Sequence, residues 1–151
     1  MNVVLHQPEI PDNTGSIGRT CVATGAKLWL IRPLGFQIDN ARIRRAGMDY
    51  WNHLEWEVVN DWAALKAQLA ESRMWLFSKT ATREYTDVEY AAGDTLVFGC
   101  ESQGLPRTLL DEHPQQCLRI PIESEARSLN LSVAVAVAVY EARRQGAIHS
   151  R

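Results

Sequence analysis

Cysteine is scarce: Cys21, Cys100 and Cys117 are odd in number, widely spaced and never in a C-x-x-C pair, which excludes a disulfide framework. Each reads as a reduced, buried small hydrophobe. No apolar run approaches the roughly 20 residues that cross a membrane, so no membrane partner is expected. The N-terminal stretch, with Asp12 soon after Pro8 and Pro11, lacks the pattern of a secretory leader. These absences point to the cytoplasm. An excess of one charge is missing too: 16 Lys and Arg against 18 Asp and Glu leave a formal charge of -2, which argues against a general nucleic-acid sponge. Yet Arg42, Arg44 and Arg45 fall together and Arg143 adjoins Arg144, so local anion-binding surfaces remain.

Familiar catalytic signatures are also lacking. Ser102 stands third after Gly99, so this is not the G-x-S-x-G nucleophile elbow. The run Thr14, Gly15, Ser16, Ile17, Gly18 has neither the G-x-G-x-x-G fingerprint nor a P-loop lysine. His6, His53, His113 and His149 have no metal-ligand spacing, and no metal is expected.

What is present suits one soluble domain over residues 1–151, with 46% hydrophobic and 23% charged residues. Val3 to Leu5 reads as a buried strand, followed by a helix capped by Asp12 or Asn13 and stopped at Gly25, with Ile17, Cys21 and Thr24 on one face. Further strands are expected at Lys27–Ile31, Trp56–Val59, Met74–Ser78, Thr95–Phe98 and Cys117–Ile120, with helices over Asn40–Ala46 and Asp61–Glu71 between them. This alternation predicts an α/β fold, a mostly parallel sheet with helices on both faces. From Val133 to Val139 valine and alanine alternate, and no turn signal occurs between Leu129 and Gln145. The length, a cap at Asn130 or Ser132, and Arg143, Arg144 and Gly146 at the far end predict a helix. Its lane of Ala134, Ala138 and Ala142 suits either intrachain packing or a subunit interface.

Two strands end in polar loops: Leu96–Phe98 before Gly99, Cys100, Glu101, Ser102, Gln103, Gly104, and Ile120, Pro121, Ile122 before Ser128, Leu129, Asn130, Leu131, Ser132. Loops at the carboxyl ends of neighbouring strands in such a sheet define the expected pocket. A third segment, Asn13 to Arg19, places Gly15 and Gly18 in the first turns of a helix, where each costs roughly 1 kcal/mol against alanine and implies a close approach. Either another part of the chain packs there, or a phosphate lies on the helix N-terminus with Arg19 as a fork of donors.

Together the three segments resemble the motifs of the SPOUT class of RNA methyltransferases, in the SpoU or TrmH branch that methylates ribose 2′-hydroxyls. Pro8, Glu9, Ile10, Pro11 and the run Arg42, Ile43, Arg44, Arg45, Ala46, Gly47, Met48, Asp49, Tyr50 are similar to the small members acting on the tRNA wobble nucleotide, cytidine or uridine. Cys100 departs from the pattern, which usually has proline there.

The resemblance implies a C-terminal deep trefoil knot, a homodimer, tRNA bound through its anticodon loop, and S-adenosylmethionine bent in the knot against Phe77, Gly99, Ile120, Ser128 and Leu129. It assigns Arg19 to catalysis, as base for the 2′-hydroxyl or as a clamp on the target phosphate, with Ser128 or Asn130 assisting. An idle RNA-binding protein of the same fold, or a methyltransferase of another RNA or a small molecule, remain alternatives.

Overall fold

The structure, a computed structural model, describes residues 1–38 and 49–148. Arg42, Arg44, Arg45, His149 and the helix expected over Asn40–Ala46 lie outside the described residues. Strands β1 (Asn2–His6), β2 (Lys27–Ile31), β3 (Trp56–Val59), β4 (Met74–Phe77), β5 (Thr95–Phe98) and β6 (Cys117–Leu118) form a sheet in the order β3-β2-β1-β5-β4-β6. Every pairing in it is parallel. Val3 lies level with Leu28 and Leu96, and Leu5 with Leu30 and Phe98. Such strands are near-continuous apolar runs because both of their faces are covered.

One face packs on α1 (Pro11–Thr24) and α4 (Leu131–Arg144), joining Val3, Leu5, Leu96 and Phe98 to Ile17, Cys21, Val135 and Val139. The other packs on α2 (Trp62–Gln68) and α3 (Arg107–Glu112), joining Val4, Trp29, Leu76 and Val97 to Leu65 and Leu109. Short 3-10 turns cover Asp49–His53 and Pro114–Gln116. Among the described residues no helix is long and apolar enough to cross a membrane.

Several expectations are corrected. Helix α1 begins at Pro11 with Ile10 at its N-cap and no side-chain cap of its own, so neither Asp12 nor Asn13 caps it. It does stop at Gly25, in the left-handed region at φ 74°. Strand β6 ends at Leu118, because Arg119 pairs instead with the segment around Glu84: Arg119 N–H donates to Arg83 and Tyr85 N–H donates to Arg119. Helix α2 stops at Gln68, where Leu69 leaves helical geometry and packs on the second core. Of the cysteines only Cys21 is buried, its thiol pushed up to about 12 by desolvation, while Cys100 and Cys117 are half-exposed.

The valine–alanine tract is a helix, capped by Asn130, whose side chain accepts from Ser132 and Val133 N–H. Its buried residues, Val135, Ala138, Val139 and Ala142, recur at helical spacing toward α1. Ala138 and Ala142, at 0% exposure, therefore belong to the chain's own core. The opposite face carries Val133 and Tyr140, 48% and 52% exposed, so Tyr140 is not a core residue. The close approach at Gly18 is also internal, since a Cβ there would lie 2.8 Å from the Trp51 ring.

Ala138→Leu tests the core assignment. Overpacking at a fully buried site costs about 1–3 kcal/mol, and for a chain of this size each kcal/mol lowers Tm by about 2–4 °C. Thermal denaturation is expected to show that loss, with the assembly state of the folded variant, read by light scattering, unchanged.

Candidate active site

In a parallel sheet all strands point their carboxyl ends the same way, and a crevice opens where the connections diverge. Here β1 and β5 are neighbours whose following segments leave in opposite directions, toward β2 and toward β6. A cavity of about 1200 Å³ lies there, lined by His6 at the end of β1, Phe77 of β4, Gly99 after β5, and Ile120, Ser128 and Leu129 before α4. All five residues expected to contact a cofactor therefore line one space. Phe77 and Phe98 stack beneath it, ring centroids 4.5 Å apart at 17°.

The geometry of Gly99 differs in origin from a simple ligand slot. A Cβ there would lie 1.9 Å from the Gly104 carbonyl carbon and 2.1 Å from Leu105 N. The loop turns back so sharply that its own backbone excludes a side chain. Gly104 N–H donates to Cys100 O at 2.9 Å, and Gly104 sits at φ 71°. Gly99→Val is accordingly a folding variant rather than a selective block of ligand.

A polar chain joins the three motif segments. Glu101 Oε1 accepts from Asn13 Nδ2 at 3.0 Å and from Ile10 N–H at 3.2 Å, while its Oε2 accepts from Glu9 N–H at 2.8 Å. Asn130 Nδ2 donates to Asn13 Oδ1 at 2.9 Å, and Asn130 Oδ1 accepts from Ser132 N–H and Oγ at 2.9 and 2.6 Å. A carboxylate thus sits beside the start of α1, held by the two N–H groups that precede the helix and by the Asn13 amide. Asn130 is committed to α4 and Asn13, which leaves Ser128 as the freer of the two residues expected to assist Arg19.

Arg19 is not brought to this cavity by its own chain. It is exposed on α1, its guanidinium 5.3 Å from the centroid of the Tyr50 ring. Sequence reasoning also missed the exposed cations Lys79, Arg107 and Arg127, which line the cavity. Their signal was position alone: Arg127 directly precedes Ser128, and Lys79 lies two residues after Phe77. Among the described residues no group of His, Cys, Asp and Glu is arranged to hold a metal.

Residues 1–140 match the SpoU rRNA Methylase family. The chain belongs to this family. It is 48% identical over 147 residues to the tRNA (cytidine(34)-2′-O)-methyltransferase of Burkholderia cenocepacia, covering 95% of this chain and 94% of that one. A solved structure described as "Structural insights into the 2-OH methylation of C/U34 on tRNA" superposes with TM-score 0.90 at 44% identity, covering 95% of this chain and 94% of that one. An AdoMet-bound rRNA methyltransferase from Sinorhizobium meliloti aligns with TM-score 0.83 at 28% identity, covering 95% of this chain and 55% of that one.

His6, 8% exposed, is held below its ordinary pKa of 6.5 by burial, against a smaller opposing effect of a backbone hydrogen bond. The unfolded chain then binds the proton that the folded chain refuses, so stability falls as pH drops below about 6.5 and levels off below the folded-state pKa. Urea midpoints measured between about pH 7.5 and about pH 5 are expected to decline more steeply for the wild type than for His6→Asn.

Proposed function

We infer that this protein is an S-adenosylmethionine-dependent tRNA 2′-O-methyltransferase acting on the ribose of the wobble nucleotide, cytidine or uridine, in the anticodon loop. The observation that carries the reading is the cavity at the switch point, lined jointly by residues of the segments that resemble the family's motifs. Its composition fits the cofactor: Phe77, Ile120 and Leu129 suit an adenine ring, and Gly99, which lines the cavity without a side chain, suits its polar edges through backbone groups. Gly99, Ser128 and the flanking backbone would hold the ribose and amino-acid portions. When bound, the cofactor supplies an electrophilic methyl group on a sulfonium that is already a good leaving group.

The chain's own contribution is then chiefly alignment, which is worth roughly 7–11 kcal/mol when reacting atoms are held in line. Lys79, Arg107 and Arg127 stand on the rim, where they suit phosphates flanking the target nucleotide. Arg19 is the proposed catalytic residue. A guanidinium with pKa above about 12 is a poor base, so we assign it the stabilisation of charge developing on the 2′-oxygen and of the adjoining phosphate.

Because Arg19 lies away from its own chain's cavity, we propose a homodimer in which one copy supplies Arg19 to the other. The exposed apolar face of α4, with Val133 and Tyr140, and Ile10 beside the cavity, 45% exposed, are suited to that contact. We also infer one domain over residues 1–151, working in the cytoplasm, with the C-terminal trefoil knot of the SPOUT fold. What supports the knot is that β6 lies outside β4 at the sheet edge, yet α4 returns to pack on α1 and Asn130 bonds Asn13.

Incubation with total tRNA and methyl-labelled cofactor, followed by nucleotide mapping, is expected to place the label on the 2′-oxygen of nucleotide 34. Label elsewhere, or none, overturns the reading. In Arg19→Ala, S-adenosylhomocysteine affinity is expected to stay near wild type while single-turnover transfer at saturating tRNA falls by about 100-fold or more.

Light scattering tests the assembly separately. The wild type is expected as a dimer, and Val133→Asp with Tyr140→Asp as an inactive, folded monomer; a fully active monomer removes the shared site.

A further inference from the structure

The turn from Gly99 to Leu105 is part of the cavity wall, and its tip is exposed at Ser102 and Gln103. One backbone hydrogen bond, Gly104 N–H to Cys100 O, closes its base. The tip is held from outside. Ser102 N–H donates to Glu9 Oε2 at 2.9 Å, and Ser102 Oγ–H donates to Glu9 Oε1 at 2.7 Å. Both carboxylate oxygens of Glu9 are therefore committed to one residue of the turn.

Glu9 is itself fixed at its backbone. Its N–H donates to Glu101 Oε2 at 2.8 Å, so the two carboxylates clasp each other's segments reciprocally. On its other side Gly35 N–H donates to Pro8 O at 2.9 Å, and Gly35 approaches so closely that a Cβ there would lie 2.7 Å from Glu9 Cα. A carboxylate anchored this firmly can impose a shape on a turn that has little else at its tip.

We propose that Glu9 is a positioning residue for methyl transfer, holding the Gly99–Leu105 turn through Ser102 in the conformation that receives the cofactor. The proposal rests on the reading of this cavity as the cofactor site. Hydrogen bonds to an ionised group are stronger than neutral ones, and here two converge on a single residue. Without them the turn samples other conformations about Gly104, whose positive φ glycine tolerates in many forms. The observed dissociation constant rises as the competent fraction falls, because it equals the intrinsic constant divided by that fraction. A merely structural Glu9 lowers Tm and leaves the affinity of the folded protein unchanged.

Titration calorimetry with S-adenosylhomocysteine on the full chain separates these cases. Glu9→Ala is expected to weaken binding about tenfold, and Ser102→Ala, which keeps the N–H bond, by a smaller factor. Ser102→Thr, which restores the hydroxyl, is expected to bind as wild type. Adding Ser102→Ala to Glu9→Ala is expected to change nothing further, since the partner is already gone. In steady-state assays the loss falls on the cofactor KM, with kcat at saturation largely kept.

Ile120→Asp, which puts a charge on the apolar wall, is the control for the cavity reading and is expected to abolish binding. If Ile120→Asp loses binding while Glu9→Ala and Ser102→Ala keep wild-type affinity, the positioning role is overturned and the cavity reading stands. If Ile120→Asp also binds as wild type, the cofactor lies elsewhere and both fall. Should Glu9→Ala not fold, the Ser102→Ala and Ser102→Thr pair decides alone: equal wild-type affinity in both overturns the proposal.

Discussion

The site depends on one carboxylate. Glu101, at the turn after β5, takes the backbone N–H groups of Glu9 and Ile10 and the amide of Asn13. Asn13 accepts in turn from Asn130, which caps α4. A parallel sheet delivers its loops to a common edge but does not join them, and each arrives with backbone donors that need partners. This polar chain joins segments 88 and 117 residues apart in sequence. The two helices covering one face of the sheet therefore start from a shared hydrogen-bond network, and the cavity opens beside it.

Two of the close approaches at glycine have different partners, and that difference separates scaffold from site. At Gly18 the visitor is a side chain, Trp51, part of the same core as α1 and α4. At Gly99 it is the protein's own peptide group between Gly104 and Leu105. The first lets a short 3-10 turn press against α1. The second bends a strand exit into part of the cavity wall, a turn that any residue larger than glycine at position 99 forbids.

Charge is partitioned in a way that the overall value of -2 conceals. Near the cavity Glu9 and Glu101 spend their oxygens on internal donors. Lys79, Arg107 and Arg127 meanwhile are exposed at its lining. The acidic groups thus shape the loops, while the cations line the opening, Arg107 paired there with Asp111 at 2.9 Å. A nearly neutral chain can in this way present a local cationic surface without a net positive charge.

The sequence by itself determined the parallel α/β plan, because continuous apolar runs such as Leu28–Ile31 and Leu96–Phe98 leave no polar face, and glycine at position 25 stops a helix in the left-handed region. It also determined that the valine–alanine tract is a helix, since Asn130 supplies a local cap and the tract is too long for a strand. The loops after Phe98 and Ile122 were legible as a pocket, because strand ends in such a sheet converge, while Phe77, Gly99, Ile120, Ser128 and Leu129 were legible as a group only through the resemblance to family motifs. Only the tertiary structure decided what Gly18, Gly35 and Gly99 touch, that Ala138 faces inward, that Glu101 binds the segment leading into α1, and that Arg19 is not among the residues lining its own chain's cavity. Those outcomes depend on contacts between segments distant in the chain. Local propensity and spacing carry no record of them, because the partner's position is set by how helices and loops pack over the sheet.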